Sequence, residues 1–293
     1  MNIPMMVARC LLCTLINTFI CQQMFSQDFK AHKKQVIQEL EQAFDLDQGT
    51  RKEFNDCVSA SGMKHPECVR KRLAMVRQDS INQQIVSKVL DRYGWPPAGQ
   101  ITEKAGKAIF YVIQHAPLAF QLKYAGLVDT AFKRKAIIPL EYAFFIDRLR
   151  TKQGMAQLYG TQHEMDNLGN RYLYPVKNWY EVNTLRQQYG IPPLDLNETP
   201  EYRQYPKVFQ NDTVVLIGHI YKDANTPIPD AAVVMDSVVL GKSNDSGFFI
   251  VCIPKKKDED VFITIRPDAD KPEGVRQAIR GSKEFYHIYV QFK

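Results

Sequence analysis

Residues 213–254 read TVVLIGHIYKDANTPIPDAAVVMDSVVLGKSNDSGFFIVCIP. Short runs of β-branched and aromatic residues (TVVLIGHIY, AAVVMDSVVL, GFFIVCIP) are parted by Pro, Asn, Asp and Gly. The pattern continues in VFITIRP and FYHIYVQF. Strands this short, at this spacing, predict a small antiparallel β-sandwich. The turn SNDSG before Phe248 supplies residues that tolerate positive φ. Nothing upstream has this grammar. The chain therefore reads as a multi-domain α-then-β protein, with a mostly helical N-terminal domain and a small C-terminal antiparallel β-sandwich.

Immediately before the strands, DLNETPEYRQYPKVFQND is polar and punctuated by proline. That suits a linker over 196–212. Further upstream, DFKAHKKQVIQELEQAFDLDQGTRKEFND has helical spacing through Val36, Leu40 and Phe44. ECVRKRLAMVRQDSINQQIVSKVLDRYGWPP continues for several turns to Gly94. TEKAGKAIFYVIQHAPLAFQLKYAGLVD has Thr102 as its candidate N-cap and breaks at Pro117. KAIIPLEYAFFIDRLRTKQG ends at Gly154, and VKNWYEVNTLRQQYGIPPL ends at Gly190 and Pro192.

The first 27 residues have one basic group, Arg9, an apolar run from Cys10 to Ile20 and a polar tail with Ser26. That is the layout of a secretory signal peptide. The run is too short for a bilayer core of roughly 30 Å. A lipid-anchored outer-membrane form would use Cys21, but bulky Ile20 stands where a small residue is expected. The expected organisation is a signal peptide at 1–27, a helical domain at 28–195, the linker at 196–212 and the sandwich at 213–293. The expected location is secreted or periplasmic, with no transmembrane span after signal removal.

Of six cysteines, Cys57, Cys68 and Cys252 lie beyond that segment. An oxidising compartment permits a disulfide. Gly62 and Pro66 allow the chain to turn back between Cys57 and Cys68, so a bridge and a pair of buried thiols are both open. Cys252, in FFIVCIP, reads as a core residue. The charge is uneven, +6 over 28–208 and −1 over 209–293. A mildly basic domain suits anionic glycans or envelope surfaces. No basic stripe with interleaved aromatics points to nucleic acid.

Three helices place polar groups where the apolar period calls for hydrophobic ones. Asp79 and Asn82 interrupt Met75, Val86 and Val89. His115 follows Ala108 and Val112. Asp147 follows Leu140, Ala143 and Phe144. Buried polar groups are costly unless paired, so the interruptions suggest one shared polar pocket. His115 titrates nearest neutrality and is the natural proton-transfer group. Asp147 or Asp79 would orient it, and Arg148 or Arg77 would bind an anion. Gln114, Gln157, Tyr159, Thr161 and Gln162 complete the candidate lining. The competing reading makes each group a structural one, Asp147 above all as half of an ion pair.

Gly-x-Ser-x-Gly, P-loop and Gly-x-Gly-x-x-Gly signatures do not occur. HEMD at 163–166 is not a zincin helix, and no spacing around His115 or His163 demands a metal. No metal or cofactor is expected.

Two resemblances bear on this. Gly218, the turn Pro227-Ile228-Pro229-Asp230-Ala231 and Asn244-Asp245-Ser246-Gly247-Phe248 resemble the carboxypeptidase regulatory-like domain, a transthyretin-type sandwich. It implies an accessory module for envelope, glycan or protein contact over 213–293. Asp230 stands where that family usually has Gly or Asn. Asp245 in this turn reads as an Asx-type turn rather than a calcium ligand.

RQDSIN, GWPP, QHA, the Asp147-Arg148 helix and Tyr159-Gly160-Thr161-Gln162, in this order, resemble an uncharacterised helical domain family recurring in bacterial proteins, over about residues 55–195. That resemblance implies a shared polar site without naming its chemistry. Three functions are expected in order. The first is binding of a small polar or anionic ligand. The second is a hydrolase or transferase with His115 as general base. The third is a structural envelope protein.

Overall fold

The structure is a computed structural model. It describes residues 4–292 except 98, 167–168, 196–203, 211, 224–225, 257–258, 269–272 and 281, and the side chains from residue 28 onward. The expected signal peptide and most of the expected linker thus lie outside the residues whose side chains are described. The chain divides into two compact units, Met1–Ile137 and Ile138–Lys293. The order of classes is the expected one, helices first and mainly antiparallel sheets after them.

The first unit holds α1 (Pro4–Ser61), α2 (Pro66–Tyr93), α3 (Glu103–His115) and α4 (Leu118–Lys133). Gly62, at φ +80°, ends α1, and Pro66 opens α2 at its first turn. Ion pairs Arg92–Asp28, Arg51–Asp79 and Lys71–Glu53 fix α1 and α2 as an antiparallel hairpin. A Cys57–Cys68 disulfide closes its turn, with Cα atoms 5.5 Å apart. Thr102 caps α3 by accepting from the Ala105 amide at 3.1 Å, as its sequence position predicts. Pro117 parts α3 from α4. The buried stripe runs through Val36, Leu40 and Ala43 of α1, Val86 and Val89 of α2, and Ala108, Ile109 and Val112 of α3. No helix among the described residues is long and apolar enough to cross a membrane.

The second unit opens with α5 (Pro139–Lys152), a hairpin of β1 (His163–Met165) and β2 (Arg171–Leu173), and α6 (Val182–Gln188). Two four-stranded sheets follow. One is built on β3 (Thr213–Asp223). Along one edge it pairs in parallel with β10 (Phe285–Gln291). Along the other it pairs antiparallel with β7 (Phe248–Pro254) and then β4 (Thr226–Pro227). The second sheet runs β6 (Val238–Lys242), β5 (Ala232–Met235), β8 (Asp260–Arg266) and β9 (Val275–Arg280), antiparallel throughout. Alternation along β3 sends Val214, Leu216 and Ile220 into a core shared with Val233, Phe249, Ile263 and Ile265. Val215 and Ile217 face the other way. There they pack with Ala156, Tyr172, Leu173, Val176, Trp179, Tyr205 and Phe209. At Gly218 an added Cβ would lie 2.5 Å from the Ile288 carbonyl, so glycine permits the close approach of β10.

Three segments differ from expectation. VKNWY does not extend α6. Val176 bridges Gln157, Asn178 bridges Val208, and Trp179 is buried. Residues 204–210, expected in a linker, are docked: Tyr205 and Phe209 are buried, and the Trp179 and Phe209 amides donate to the Lys207 and Lys177 carbonyls. Cys252 is exposed rather than core: alternation puts it on the same face as Phe248 and Ile250, but it lies beyond the cover that buries those two.

Candidate functional site

Two polar interruptions of the first unit, Asp79 and His115, belong to one network, organised by a residue that the sequence reading passed over. Asp47 extends the stripe Val36–Leu40–Ala43 of α1 by one turn and is 1% exposed. His115, at the end of α3, places Nδ1 3.2 Å from both Asp47 carboxylate oxygens. Arg51, one turn beyond Asp47, stands 2.9 Å from its Oδ1. Through the same guanidinium it donates to both oxygens of Asp79, at 2.8 and 3.1 Å. Gln48 donates to Asp47 Oδ2 at 2.7 Å.

The order His115–Asp47–Arg51–Asp79 thus joins α3, α1 and α2. A carboxylate only accepts, so the neutral imidazole carries its proton on Nδ1 and its lone pair on Nε2. Two carboxylates against one guanidinium leave the cluster one negative charge in excess. Tyr111, one turn before His115, stacks on its ring at 6.0 Å between centroids.

Asn82 and Gln114 are buried beside this network and serve the helix packing. Asn82 donates to the Ala43 carbonyl at 3.3 Å and accepts from Gln78 at 2.9 Å. The main-chain carbonyl of Gln114 accepts from the Gln121 side-chain amide at 2.6 Å across the α3–α4 turn. A surface cleft lined by His32, Glu39, Lys88 and Arg92 lies between α1 and α2 and does not include His115.

The other predicted residues belong to the second unit. Asp147, fully buried on α5, accepts from the amides of Leu158 (2.7 Å), Tyr159 (3.0 Å) and Thr161 (3.0 Å) and from the Thr161 hydroxyl (3.0 Å). Burial pushes its carboxyl above the ordinary value, while these four donors favour the charged form.

Gln157 is equally buried. Its amide nitrogen donates to the Gln162 and Tyr174 carbonyls, and its oxygen accepts from the Gln162 amide. Arg148 donates to Gln162 Oε1 at 3.1 Å. Arg186 donates to the Tyr159 carbonyl at 2.6 Å, and Gly160 turns the loop at φ +64°. The Tyr-Gly-Thr-Gln segment is therefore a loop wound around one carboxylate, its polar groups spent on Asp147, Arg148 and Gln157. The carboxylate on His115 Nδ1 is Asp47, in the place that the sequence reading assigned to Asp147 or Asp79.

Two described groups have metal-ligand geometry. In Cys57, His65 and Cys68 the sulfurs are joined to each other. In Glu164, His219 and His287 the candidate donor atoms all lie within 4.8 Å of one another. Burial lowers His219 to about 4, helped by the neighbouring His287, and burial lowers His287 as well. Sequence reasoning missed this cluster because β1, β3 and β10 bring it together from distant parts of the chain. Only the alternation of each strand, which sends His219 and Ile217 to one face, hinted at it.

The comparison with curated proteins gives no match, and neither does the comparison with solved structures. Among family models, one described as a family of unknown function, DUF6624, matches residues 34–201. That stretch runs from α1 through the network at His115 to the loop around Asp147 and beyond α6, and the chain belongs to this family.

Proposed function

We propose that the helical unit acts on a small polar molecule by proton transfer at His115, as a hydrolase or transferase. The supporting observation is the contact of His115 Nδ1 with the buried Asp47 carboxylate, 3.2 Å to each oxygen. A carboxylate there fixes ring orientation and tautomer and stabilises the imidazolium that forms when Nε2 takes a proton. Asp47 is itself held by Arg51 and Gln48, so the ring rests on a fixed base. The side chain of His115 is 18% exposed and so remains within reach of solvent. The same geometry weighs against an anionic ligand, because Arg51 is committed to two carboxylates and Arg148 donates to Gln162. On this reading the protein is exported by its first 27 residues, and the sandwich is an accessory module for envelope, glycan or protein contact.

A panel of ester, amide, phosphoester and glycoside substrates tests the reading with wild type, His115→Ala and Asp47→Asn. Loss of a positioned general base is expected to lower turnover by about 10²–10⁴-fold. Asp47→Asn is expected to lower it too, by favouring the wrong tautomer. Equal rates for all three proteins on every substrate turned over would sink the proposal. Export is checked by amino-terminal sequencing of the protein recovered outside the cytoplasm, expected to begin near residue 28.

A further inference from the structure

We propose that Glu164, His219 and His287 form a binding site for a first-row divalent transition-metal ion of the zinc class. The site is independent of the chemistry at His115. Glu164 projects from β1, and its side chain is 16% exposed. His219 lies on β3 and is fully buried. His287 lies on β10 with its side chain 17% exposed, its Nδ1 3.6 Å from Glu164 Oε2. The two imidazole rings meet edge to face with centroids 5.7 Å apart.

Three observations support a ligand in this place. Neither ring nitrogen of His219 has a hydrogen-bond partner among the described residues, and neither does Nε2 of His287. A buried polar atom without a partner costs about 1–3 kcal/mol, and here three of them cluster. Packing alone gives no reason for a histidine at 219. The ring sits in an aromatic box, 5.2 Å from Tyr289, 5.3 Å from Tyr172 and 5.0 Å from Phe248, where phenylalanine would leave no unpaired nitrogen.

The donor set is also chemically right. Two neutral imidazoles and one carboxylate suit zinc and its neighbours, and leave further coordination positions to water or a bound molecule. Finally, the carboxylate is oriented from behind. Tyr174 and Tyr289 each donate a hydroxyl to a different oxygen of Glu164, both at 2.5 Å. Hydrogen bonds of this kind hold ligating carboxylates in metal sites.

The test uses the full mature chain without an affinity tag, stripped with chelator and titrated with Zn²⁺ by calorimetry and with Co²⁺ by visible absorption. Wild type is expected to bind one equivalent and to melt at a higher temperature with Zn²⁺ than without. His219→Phe and His287→Gln are expected to abolish stoichiometric binding and the thermal shift. Tyr289→Phe should weaken binding by about 10–100-fold, as loss of a supporting hydrogen bond does. His115→Ala should bind as wild type, which separates this site from the network of the first unit. His287→Gln, at a partly exposed position, carries the test if His219→Phe does not fold. The proposal is overturned if wild type binds no stoichiometric metal. It is equally overturned if the folded His219 or His287 variant binds Zn²⁺ as tightly as wild type. His219 would then be a packing residue of the aromatic box.

Discussion

Asp47 and Asp147 are both buried carboxylates on helices, and their neighbours give them opposite roles. Asp147 is ringed by four donors from one loop, so its work is to hold that loop. Asp147→Asn would turn an amide NH₂ toward these donors. It is expected to cost about 3–5 kcal/mol of unfolding free energy, measured by denaturant titration, because a buried charge network loses its centre. Asp47 shares its charge with a histidine and an arginine, and its replacement should register in turnover. The interrupted apolar stripe made Asp79, Asn82, His115 and Asp147 legible in the sequence. Asp47 obeys the same rule. The spacing through Phe44 conceals it, because Ala43 is the fully buried position of that turn. What the stripe could not convey is which interruptions meet. Asp79 and His115 belong to one compact unit and Asp147 to the other.

Among the elements, helix ends are the most legible, since Gly94, Thr102, Pro117 and Gly154 act through local backbone chemistry. The α1–α2 turn carries its own covalent closure. Removing it by Cys57→Ser with Cys68→Ser is expected to lower stability by about 2–3 kcal/mol, the loop-closure value for a bridge of this length. Chemical unfolding with and without reductant checks the same number. VKNWY was less legible. Its spacing suits a helix, yet its backbone is drawn into bridges with Gln157 and Val208, partners that no local pattern announces. β3 shows the same limit. Its apolar run Val214–Ile217 marks it as a strand, but does not tell that both of its faces are covered. One face meets the opposing sheet, and the other meets the segment from Ala156 to Phe209.

For the molecule as a whole, that double cover decides where the chain can be divided. Composition drew the border in the polar stretch before residue 213, and packing draws it at Ile137–Ile138. Polar composition conceals two aromatic anchors, Tyr205 and Phe209, whose burial is a tertiary fact. Phe209→Ala is expected to cost about 3–5 kcal/mol as a core truncation. A fragment of residues 213–293 would bare the outer face of β3 and should self-associate on size-exclusion, whereas residues 138–293 should run as a monomer. The parallel pairing of β10 with β3 also has a meaning in time. During synthesis β3 emerges long before its edge partner, and the sheet waits with an open edge until residues 285–291 arrive. Contacts so distant in sequence form slowly. The interval between these two strands is therefore when a nascent chain is most exposed to mispairing, and His287 reaches Glu164 and His219 only when that interval closes.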